Sequence, residues 1–425
     1  MTLEQLIGRR DFVLIPSLHR FLVWLMAFHV TGLGWLVFFG WFITASMGVS
    51  GIDRPVFIVV CAWTAPGVIA LLMGWALRPR VRIEADYPAR GAVGQPLKIR
   101  CTLHNIRRRP QFSLGAGFFL LPLEIDREGN PPVRTEILPG EAGITGATII
   151  PRRRGQYKMP GLIAYSTFPL NLYRVPAGKT DSWPLLVLPT FHPIHQIDIP
   201  IGTRYQPGGI ALTSHIGESP EYIGNREYVA GDPIRHIDFR AWARLSKPAV
   251  REFQEEYYCR IALVLDTFTG KVTPPSPAGF PDFEAAVSLT AAVADALSRG
   301  EYLIDLFAAG PELHVFRAGR HTAHLENVLE ILAGVGHTVD NPFERLAPAL
   351  IEELSSISTV VCVFLDWDRG REHIVRAAAE AGCSVKVIVV RDGATTEPLD
   401  SAYGWTPHVR QVGISEVAVG GVDTL

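Results

Sequence analysis

Two aspartates that each follow a predicted buried strand are the best candidates for chemistry in this 425-residue chain. Residues 261–265 form a short apolar run before Asp266, and residues 359–365 form a second one before Asp366. In parallel α/β sheets, ligands bind beyond the carboxyl ends of the strands. Two carboxylates at that edge could serve a hydrolase. They could equally hold loops by accepting backbone hydrogen bonds, and the residues alone leave both open.

The elements around these aspartates are predicted to alternate between strands and helices. Further strands are expected at 302–308 and 384–390, and helices at 283–297, 328–333, 343–354 and 371–381. Such alternation predicts a doubly wound parallel sheet.

Catalytic motifs are otherwise absent from the sequence. Gly178-Lys179-Thr180 resembles the end of a phosphate-binding loop, but Tyr173 stands where the first glycine is required. Neither H-E-x-x-H nor G-x-S-x-G occurs. The five cysteines are scattered without C-x-x-C spacing, which argues against a disulfide framework and a structural zinc site. The net charge of −2 does not favour nucleic acid. We therefore expect neither an enzyme nor a nucleic-acid partner.

The most unusual stretch is 226–256, which holds six basic and six acidic residues. Asp232-Pro233 predicts a helix start, with an acceptor at the N-cap and proline at the first position. The apolar stripe of that helix would comprise Ile234, Ile237, Ala241 and Leu245. Because the charges balance, a phosphate-binding surface is a poor fit. Ion pairs between domains and a docking surface for another protein both remain open.

This stretch also contains a recognisable series of residues. The series consists of Arg226-Glu227-Tyr228, Gly231-Asp232, Arg235, Ile237-Asp238-Phe239, Ala243-Arg244 and Val250-Arg251-Glu252. It resembles the signature of the domain-of-unknown-function 58 family. Phe239 stands where a tryptophan is usual and Trp242 where a small residue is usual, as if bulk had been exchanged across one helical turn.

The resemblance implies a fold and a partner. It implies two N-terminal membrane helices, a β-rich domain, the signature, and a domain resembling von Willebrand factor type A. It also implies association with MoxR-type AAA ATPases. The implied interaction residues are Arg226, Tyr228, Gly231, Asp232, Arg235, Asp238, Arg244, Arg251 and Glu252.

A type A domain can hold a divalent metal through an aspartate, hydroxyls two and four residues later, a threonine and a second aspartate. Such hard oxygen ligands suit magnesium or calcium. Here Phe268 and Gly270 occupy the two hydroxyl positions. We therefore expect no cofactor, and a metal-dependent ligand-binding receptor is the alternative. The ligands of a Mg or Ca site would be Asp266, Thr338 and Asp366, with Asp368 as a substitute for the last.

The segment 81–190 is predicted to be a β-sandwich. Residues 81–85 and 97–103 alternate with period two between turns rich in proline and glycine, which is typical of antiparallel strands with one buried face. Two arginine triplets, 107–109 and 152–154, lie at turns. They are predicted to be solvated hairpin tips or contacts with anionic lipid head groups.

Two uncharged stretches of 23 residues, 21–43 and 55–77, are each long enough to span a bilayer, which needs roughly 20 apolar residues. Basic residues flank the pair on its outer sides: Arg9, Arg10 and Arg20 before it, and Arg78, Arg80 and Arg82 after it. The connecting loop carries only Arg54, next to Asp53. The positive-inside rule then predicts a multi-pass protein of the bacterial inner (plasma) membrane with both termini in the cytoplasm.

The expected organisation has four segments. These are a membrane hairpin at 1–80, the β-sandwich at 81–190, the charged signature or hinge at 191–258, and a von Willebrand factor A-like α/β domain at 259–425. We expect a non-catalytic, membrane-anchored interaction or scaffold protein. It would contact membrane lipid and a MoxR-type AAA ATPase, with other membrane proteins as further candidates.

Overall fold

The computed structural model of the chain describes residues 29–48, 54–129, 131–200, 222–229, 232, 234–253, 260–300, 302–309, 313–316 and 325–425. The described residues belong to two compact units. The first unit comprises the chain up to His192 together with Thr269–Ala291 and Glu326–Asp340. The second comprises Pro193–Phe268, Ala292–Leu325 and Asn341–Leu425. The four segment boundaries expected from the sequence stay predictions.

The first elements among the described residues of this unit are two apolar helices, α1 at Gly32–Gly48 and α2 at Arg54–Ala76. Within α2, Pro55–Ala76 is long and apolar enough to cross a membrane. Only 6% of its most apolar 18-residue stretch is buried inside the protein. It coincides with the predicted second span. The predicted first span, 21–43, begins in residues outside the described part of the chain. Residues 32–43 of this span lie in α1, whose 17 residues are fewer than the roughly 20 that a crossing typically needs.

The two helices pack closely because α1 presents a glycine. A Cβ at Gly40 would lie only 3.0 Å from the indole of Trp63. One residue further on, Trp41 Nε1 donates a hydrogen bond to Thr64 Oγ1 at 3.0 Å. Small residues at such contacts let two helix backbones approach each other. Side-chain hydrogen bonds between neighbouring helices are also typical of helices packed in a membrane.

The described residues of the first unit continue with eleven strands in three sheets. In chain order they are β1 Val81–Asp86, β2 Arg90–Ala92, β3 Leu97–Asn105, β4 Gln111–Gly117, β5 Ile125–Glu128, β6 Arg134–Ile137, β7 Ala142–Pro151, β8 Gly155–Met159, β9 Ile163–Ser166, β10 Val175–Lys179 and β11 Trp183–Leu188. The sheet orders are β1-β3-β7-β5, β10-β9-β4-β6 and β2-β11-β8. All pairs are antiparallel except β2–β11.

The alternation predicted for 97–103 is present in β3. Ile99, Cys101 and Leu103 are buried in one core, and the residues between them are more exposed. In the second arginine triplet, Arg152 is exposed but Arg154 departs from the prediction of a solvated hairpin tip. Arg154 is almost fully buried: its Nε donates to the carbonyl of Leu332 at 2.7 Å, and its guanidinium pairs with Glu284.

The second unit is built on a six-stranded sheet of order β16-β15-β14-β17-β18-β19. Its strands are β14 Arg260–Leu265, β15 Leu303–Ala309, β16 Leu313–Phe316, β17 Thr359–Phe364, β18 Ser384–Val390 and β19 Val409–Val412. All neighbours are parallel except β15–β16, so the sheet is mixed. The α/β alternation predicted from the sequence is therefore confirmed, and the antiparallel edge strand β16 is an addition to it.

In the described part of this region, five helices accompany the strands: α4 Pro281–Arg299, α5 Leu325–Gly334, α6 Phe343–Glu353, α7 Arg369–Glu380 and α8 Ile414–Val419. The first part of α4 and all but the first residue of α5 belong to the first unit. In the second unit, α6 and α7 bury apolar side chains in one core with β17 and β18. Trp367 lies fully buried in that core.

The charged signature segment forms a small structure of its own. Strands β12, Tyr222–Glu227, and β13, Ala249–Phe253, pair antiparallel. Between them lie a short 3₁₀ helix, Ile234–His236, and the helix α3, Phe239–Leu245. The helix start predicted at Asp232 is wrong. The N-cap is Asp238, whose Oδ1 accepts from the backbone N–H groups of Arg240 and Ala241, both at 3.0 Å.

Candidate functional site

A buried ion pair lies where the strand β14 ends. Asp266 follows this strand directly and is fully buried. Its Oδ1 accepts the backbone N–H of Phe268, and its Oδ2 accepts that of Leu365, both at 2.9 Å. The same Oδ2 accepts from Nε and Nη2 of Arg371 at 2.8 and 2.7 Å. Burial raises the pKa of the Asp266 carboxyl, while the charge of Arg371 and the backbone donors oppose that rise.

Arg371 is positioned by the start of α7. Asp368 caps this helix: its Oδ1 accepts the backbone N–H of Arg371 at 3.0 Å, and its Oδ2 accepts Nη1 at 2.5 Å. The guanidinium carbon lies 5.0 Å from the ring centroid of Phe343 and 5.8 Å from that of Phe268, within cation–π reach of about 6 Å. The positive end of the helix dipole disfavours a cationic side chain such as that of Arg371 in the first turn. The two carboxylates and the two aromatic faces compensate for this unfavourable electrostatic interaction.

Both carboxylate oxygens of the second predicted aspartate, Asp366, also accept hydrogen bonds from within the protein. Asp366 Oδ1 accepts the backbone N–H groups of Trp367 and Thr396, both at 2.8 Å. Its Oδ2 accepts the Thr396 hydroxyl and Nη1 of Arg391, both at 2.6 Å. Burial raises the pKa of Asp366, but these hydrogen bonds and the nearby cation outweigh it, and the pKa lies below its usual value.

The predicted metal ligands do not all belong to one unit. Asp266 and Asp366 lie in the second unit, whereas Thr338 lies in the first, where its carbonyl accepts the backbone N–H groups of Thr269 and Gly270 at 3.1 and 3.3 Å. Within the described ranges, no group of three or more His, Cys, Asp or Glu side chains is arranged to hold a metal. The cation beside Asp266 is the guanidinium of Arg371. Both carboxylates therefore join loops by accepting internal donors.

The signature segment holds a second set of ion pairs. Arg226 donates from Nη1 and Nη2 to the two carboxylate oxygens of Asp232, both at 2.7 Å. Asp232 also accepts the backbone N–H of Val229 at 2.9 Å. These bonds, that of Arg226 first, lower the pKa of Asp232 to about 2. The bidentate pair closes the turn that follows β12, and this explains why Asp232 does not cap the helix.

Asp238 links the helix α3 to the strands. Besides capping the helix, it lies 3.4 Å from Arg251 Nε on β13 and accepts from the side-chain amide of Asn225 on β12 at 3.4 Å. The capping hydrogen bond from Ala241 is the largest of the contributions that lower the pKa of Asp238. A single carboxylate thus fixes the helix relative to the strand pair.

The fixed helix turns its apolar residues towards solvent. Phe239 is 66% exposed and Leu245 is 54% exposed, whereas Ala241 is the one buried residue of this helix. The rings of Phe239 and Trp242 stack with centroids 6.1 Å apart. We call the exposed apolar residues of this segment the signature surface: Val229, Ile234, Phe239, Trp242 and Leu245. Exposed apolar residues on an element that also carries charge are typical of interaction sites when they form a patch.

Among the remaining signature residues, Tyr228 and Arg244 are described. Tyr228 donates its backbone N–H to the carbonyl of Pro248 at 2.9 Å. Arg244 is exposed in the last turn of α3. Gly231 and the side chains of Arg235 and Glu252 lie outside the described part of the chain.

The sequence did not single out Arg371 as the partner of Asp266. One local signal pointed to Arg371, because it follows Asp368 by three residues at the start of a helix. A cationic side chain there is stabilised by a neighbouring carboxylate. The distant partner Asp266 could not be recognised without the fold. In the sequence, Phe268 stood out only because it occupies a position where a metal site would need a hydroxyl. In the structure, its ring lies against the guanidinium group of Arg371.

These features define a multi-sheet α/β protein with an apolar helix, a mixed and mainly parallel sheet, and a charged signature segment. Residues 224–397 match the family model described as "Protein of unknown function DUF58". Over this region the match confirms the family resemblance that the signature predicted. The matched region includes both the signature segment and the Asp266–Arg371 pair.

Comparison with other proteins adds little to this assignment. A search of curated proteins found no match. Among solved structures, proximal thread matrix protein 1 from the mussel byssus is 8% identical over 40% of this chain, with a TM-score of 0.28, and the chain spans about half (48%) of its length. Alpha-2-macroglobulin from E. coli is 16% identical over 26% of this chain and 7% of its own, with a TM-score of 0.18. The CARDB domain of PF1109 from Pyrococcus furiosus is 12% identical over 26% of this chain and 94% of its own, with a TM-score of 0.17. These scores are too low to assign a fold.

Proposed function

We propose that the chain is a non-catalytic, membrane-anchored interaction protein whose signature surface binds a MoxR-type AAA ATPase. The observation that carries the proposal is the exposed apolar face of α3. A seven-residue helix normally buries such a face, yet here Phe239, Trp242 and Leu245 point outward while ion pairs hold the helix in place. The partner class is inferred from the family resemblance.

Membrane anchoring is the second part of the proposal. The apolar residues of α2 are exposed along its length, and Trp75 near its end is 81% exposed, as expected for an interfacial anchor. The arginine asymmetry around the two apolar stretches favours cytoplasmic termini. We further propose that the two apolar helices form a multi-pass hairpin. The antiparallel sheets of the first unit would then form a β-sandwich, and the mixed sheet of the second unit would belong to a von Willebrand factor A-like domain.

The hydrogen bonding of Asp266 and Asp366 supports a non-catalytic role for the chain. A general base or a metal ligand needs an oxygen lone pair directed at its substrate or ion. The oxygens of Asp266 and Asp366 are already used by backbone, hydroxyl and guanidinium donors. No observation favours the metal-dependent receptor, because a cation at Asp266 would have to displace Arg371.

Affinity capture from detergent-solubilised membranes tests the proposal. The full chain should co-purify with a MoxR-type ATPase, identified by mass spectrometry. The double variant Phe239→Ser/Leu245→Ser should lose it. A matched control is Ile351→Ser/Val419→Ser, which removes two exposed apolar residues on other helices. Equal recovery of the ATPase with all three proteins would remove the signature surface from the proposal.

A further inference from the structure

A cavity of about 330 Å³ lies at the end of the apolar helix α2, within the first unit. Its volume is within the range of small-molecule sites, about 300–1,000 Å³. One wall is the last turn of α2 and the residues after it, Met73, Gly74, Leu77 and Pro79. The opposite lining comes from the loop before β4 and from β4, β9 and β10, and it includes Arg107, Arg109, Phe112, Phe168 and Val175.

Two guanidinium groups give this cavity positive charge. Arg107 is half-buried and Arg109 is exposed. Within the described residues, neither arginine has a carboxylate at ion-pair distance, in contrast to Arg152, which pairs with Asp126. Their loop is held by its backbone: Asn105 accepts the N–H of Arg107 at 2.9 Å and donates to the carbonyl of Arg109 at 2.9 Å. The loop backbone is thus fixed, and both guanidinium groups are available to an anion.

The other wall is apolar and continuous with the helix surface. Met73 and Leu77 are both partly exposed beside the cavity, and the neighbouring Leu72 and Trp75 are more exposed still. The C-terminus of α2 carries a partial negative charge of about half a unit, which opposes an anion. Two guanidinium charges exceed it. A ligand that fits both walls has an anionic head and an apolar tail, and the tail can follow α2.

From this geometry we infer that the cavity binds the head group of an anionic phospholipid, with Arg107 and Arg109 at its phosphate and an acyl chain along the end of α2. The inference rests on the membrane-anchoring part of the proposed function. That proposal places this end of α2 at the cytoplasmic leaflet, where anionic lipids attract basic residues. The partner ATPase plays no part in it.

The test uses the full chain purified in a neutral detergent. Phosphatidylglycerol and phosphatidylcholine are titrated into the micelles, and bound lipid is counted by native mass spectrometry. Phosphatidylglycerol should bind at least ten times more tightly than phosphatidylcholine. Arg107→Gln/Arg109→Gln should weaken phosphatidylglycerol binding by roughly 30-fold. The matched control Arg100→Gln/Arg108→Gln removes two exposed arginines that do not line the cavity, and should bind as the unmodified chain does.

Further arms separate the sources of the anion. Inorganic phosphate and glycerol 3-phosphate should compete only weakly, and Leu77→Ser should weaken binding of the long-chain lipid. Full competition by either soluble anion would overturn the lipid assignment. Equal phosphatidylglycerol binding by the cavity variant and its control would overturn the site. Because the assay is done in micelles, it does not depend on insertion in a cell. Release of the chain from membranes by alkaline carbonate would instead count against the anchoring proposal.

Discussion

The Asp266–Arg371 pair gives the sharpest prediction about stability. Arg371→Met removes the cation and leaves a carboxylate that is fully buried, with only the backbone N–H groups of Phe268 and Leu365 as donors. Breaking a buried pair in this way costs about 3–5 kcal/mol. The exposed control Arg369→Met removes an arginine that is 92% exposed and 3.4 Å from Glu397, and it should cost about 0–1 kcal/mol.

The cost should also depend on pH. Without Arg371 the pKa of Asp266, already raised by burial, rises further, and the folded variant takes up a proton. A folded-state pKa above the unfolded one gives a stability contribution that is present at low pH and lost as the pH rises. The destabilisation caused by Arg371→Met should therefore increase from about pH 4 towards neutrality. Adding Asp266→Asn removes the unpaired charge and should recover about 0.5–3 kcal/mol at pH 7.

A measurement restricted to the second unit is needed, since the chain has two units. Cys362 lies in β17, is fully buried and belongs to the same core as Trp367. Pulse labelling of its thiol across a urea series, read out by peptide mass spectrometry, reports the unfolding of that core. A loss below 1 kcal/mol for Arg371→Met, or a loss unchanged between pH 4 and 7, would refute the buried pair.

Three further predictions concern the signature, the metal and the topology. The stability difference between the unmodified chain and Asp232→Asn should be small near pH 2 and reach a plateau above about pH 4, because Arg226 lowers the pKa of Asp232 to about 2 and the stabilisation is lost as the pH falls through that value. Urea titrations across that range test it, and a flat difference would contradict the pair. Millimolar magnesium should leave the melting temperature unchanged, because the oxygens of Asp266 are occupied; a rise abolished by Asp266→Ala would overturn this. A reporter fused after Leu425 should be cytoplasmic and one near Ser50 external, and a periplasmic signal from the first would contradict the topology.

The sequence was sufficient for elements defined by local periodicity. The strand predicted at 384–390 and the helix predicted at 283–297 lie where β18 and α4 are found, because a continuous apolar run and a 3.6-residue period are local signals. The helix start failed because both Asp232 and Asp238 can cap a helix. Arg226, six residues before Asp232, holds the Asp232 carboxylate in the turn after β12, and Asp238 caps the helix instead.

Burial of charge was the least predictable feature. Nothing local distinguishes Arg154 from Arg152, yet one is buried against Glu284 and main-chain carbonyls and the other lies near the surface with Asp126. The same holds for Arg371, whose partner is 105 residues away in the chain. Such pairs depend on which strand ends become neighbours, and the sequence pattern does not contain that information.

The proposal that the signature surface binds a MoxR-type ATPase is tested most directly by an affinity measurement. The purified full chain in detergent is titrated with a purified MoxR-type ATPase from the same organism. The account predicts saturable binding that Phe239→Ser/Leu245→Ser weakens at least 10-fold, since interface anchors contribute more than about 1 kcal/mol each. The control Ile351→Ser/Val419→Ser should bind within twofold of the unmodified chain. No binding by the unmodified chain, or equal binding by all three proteins, would contradict the account.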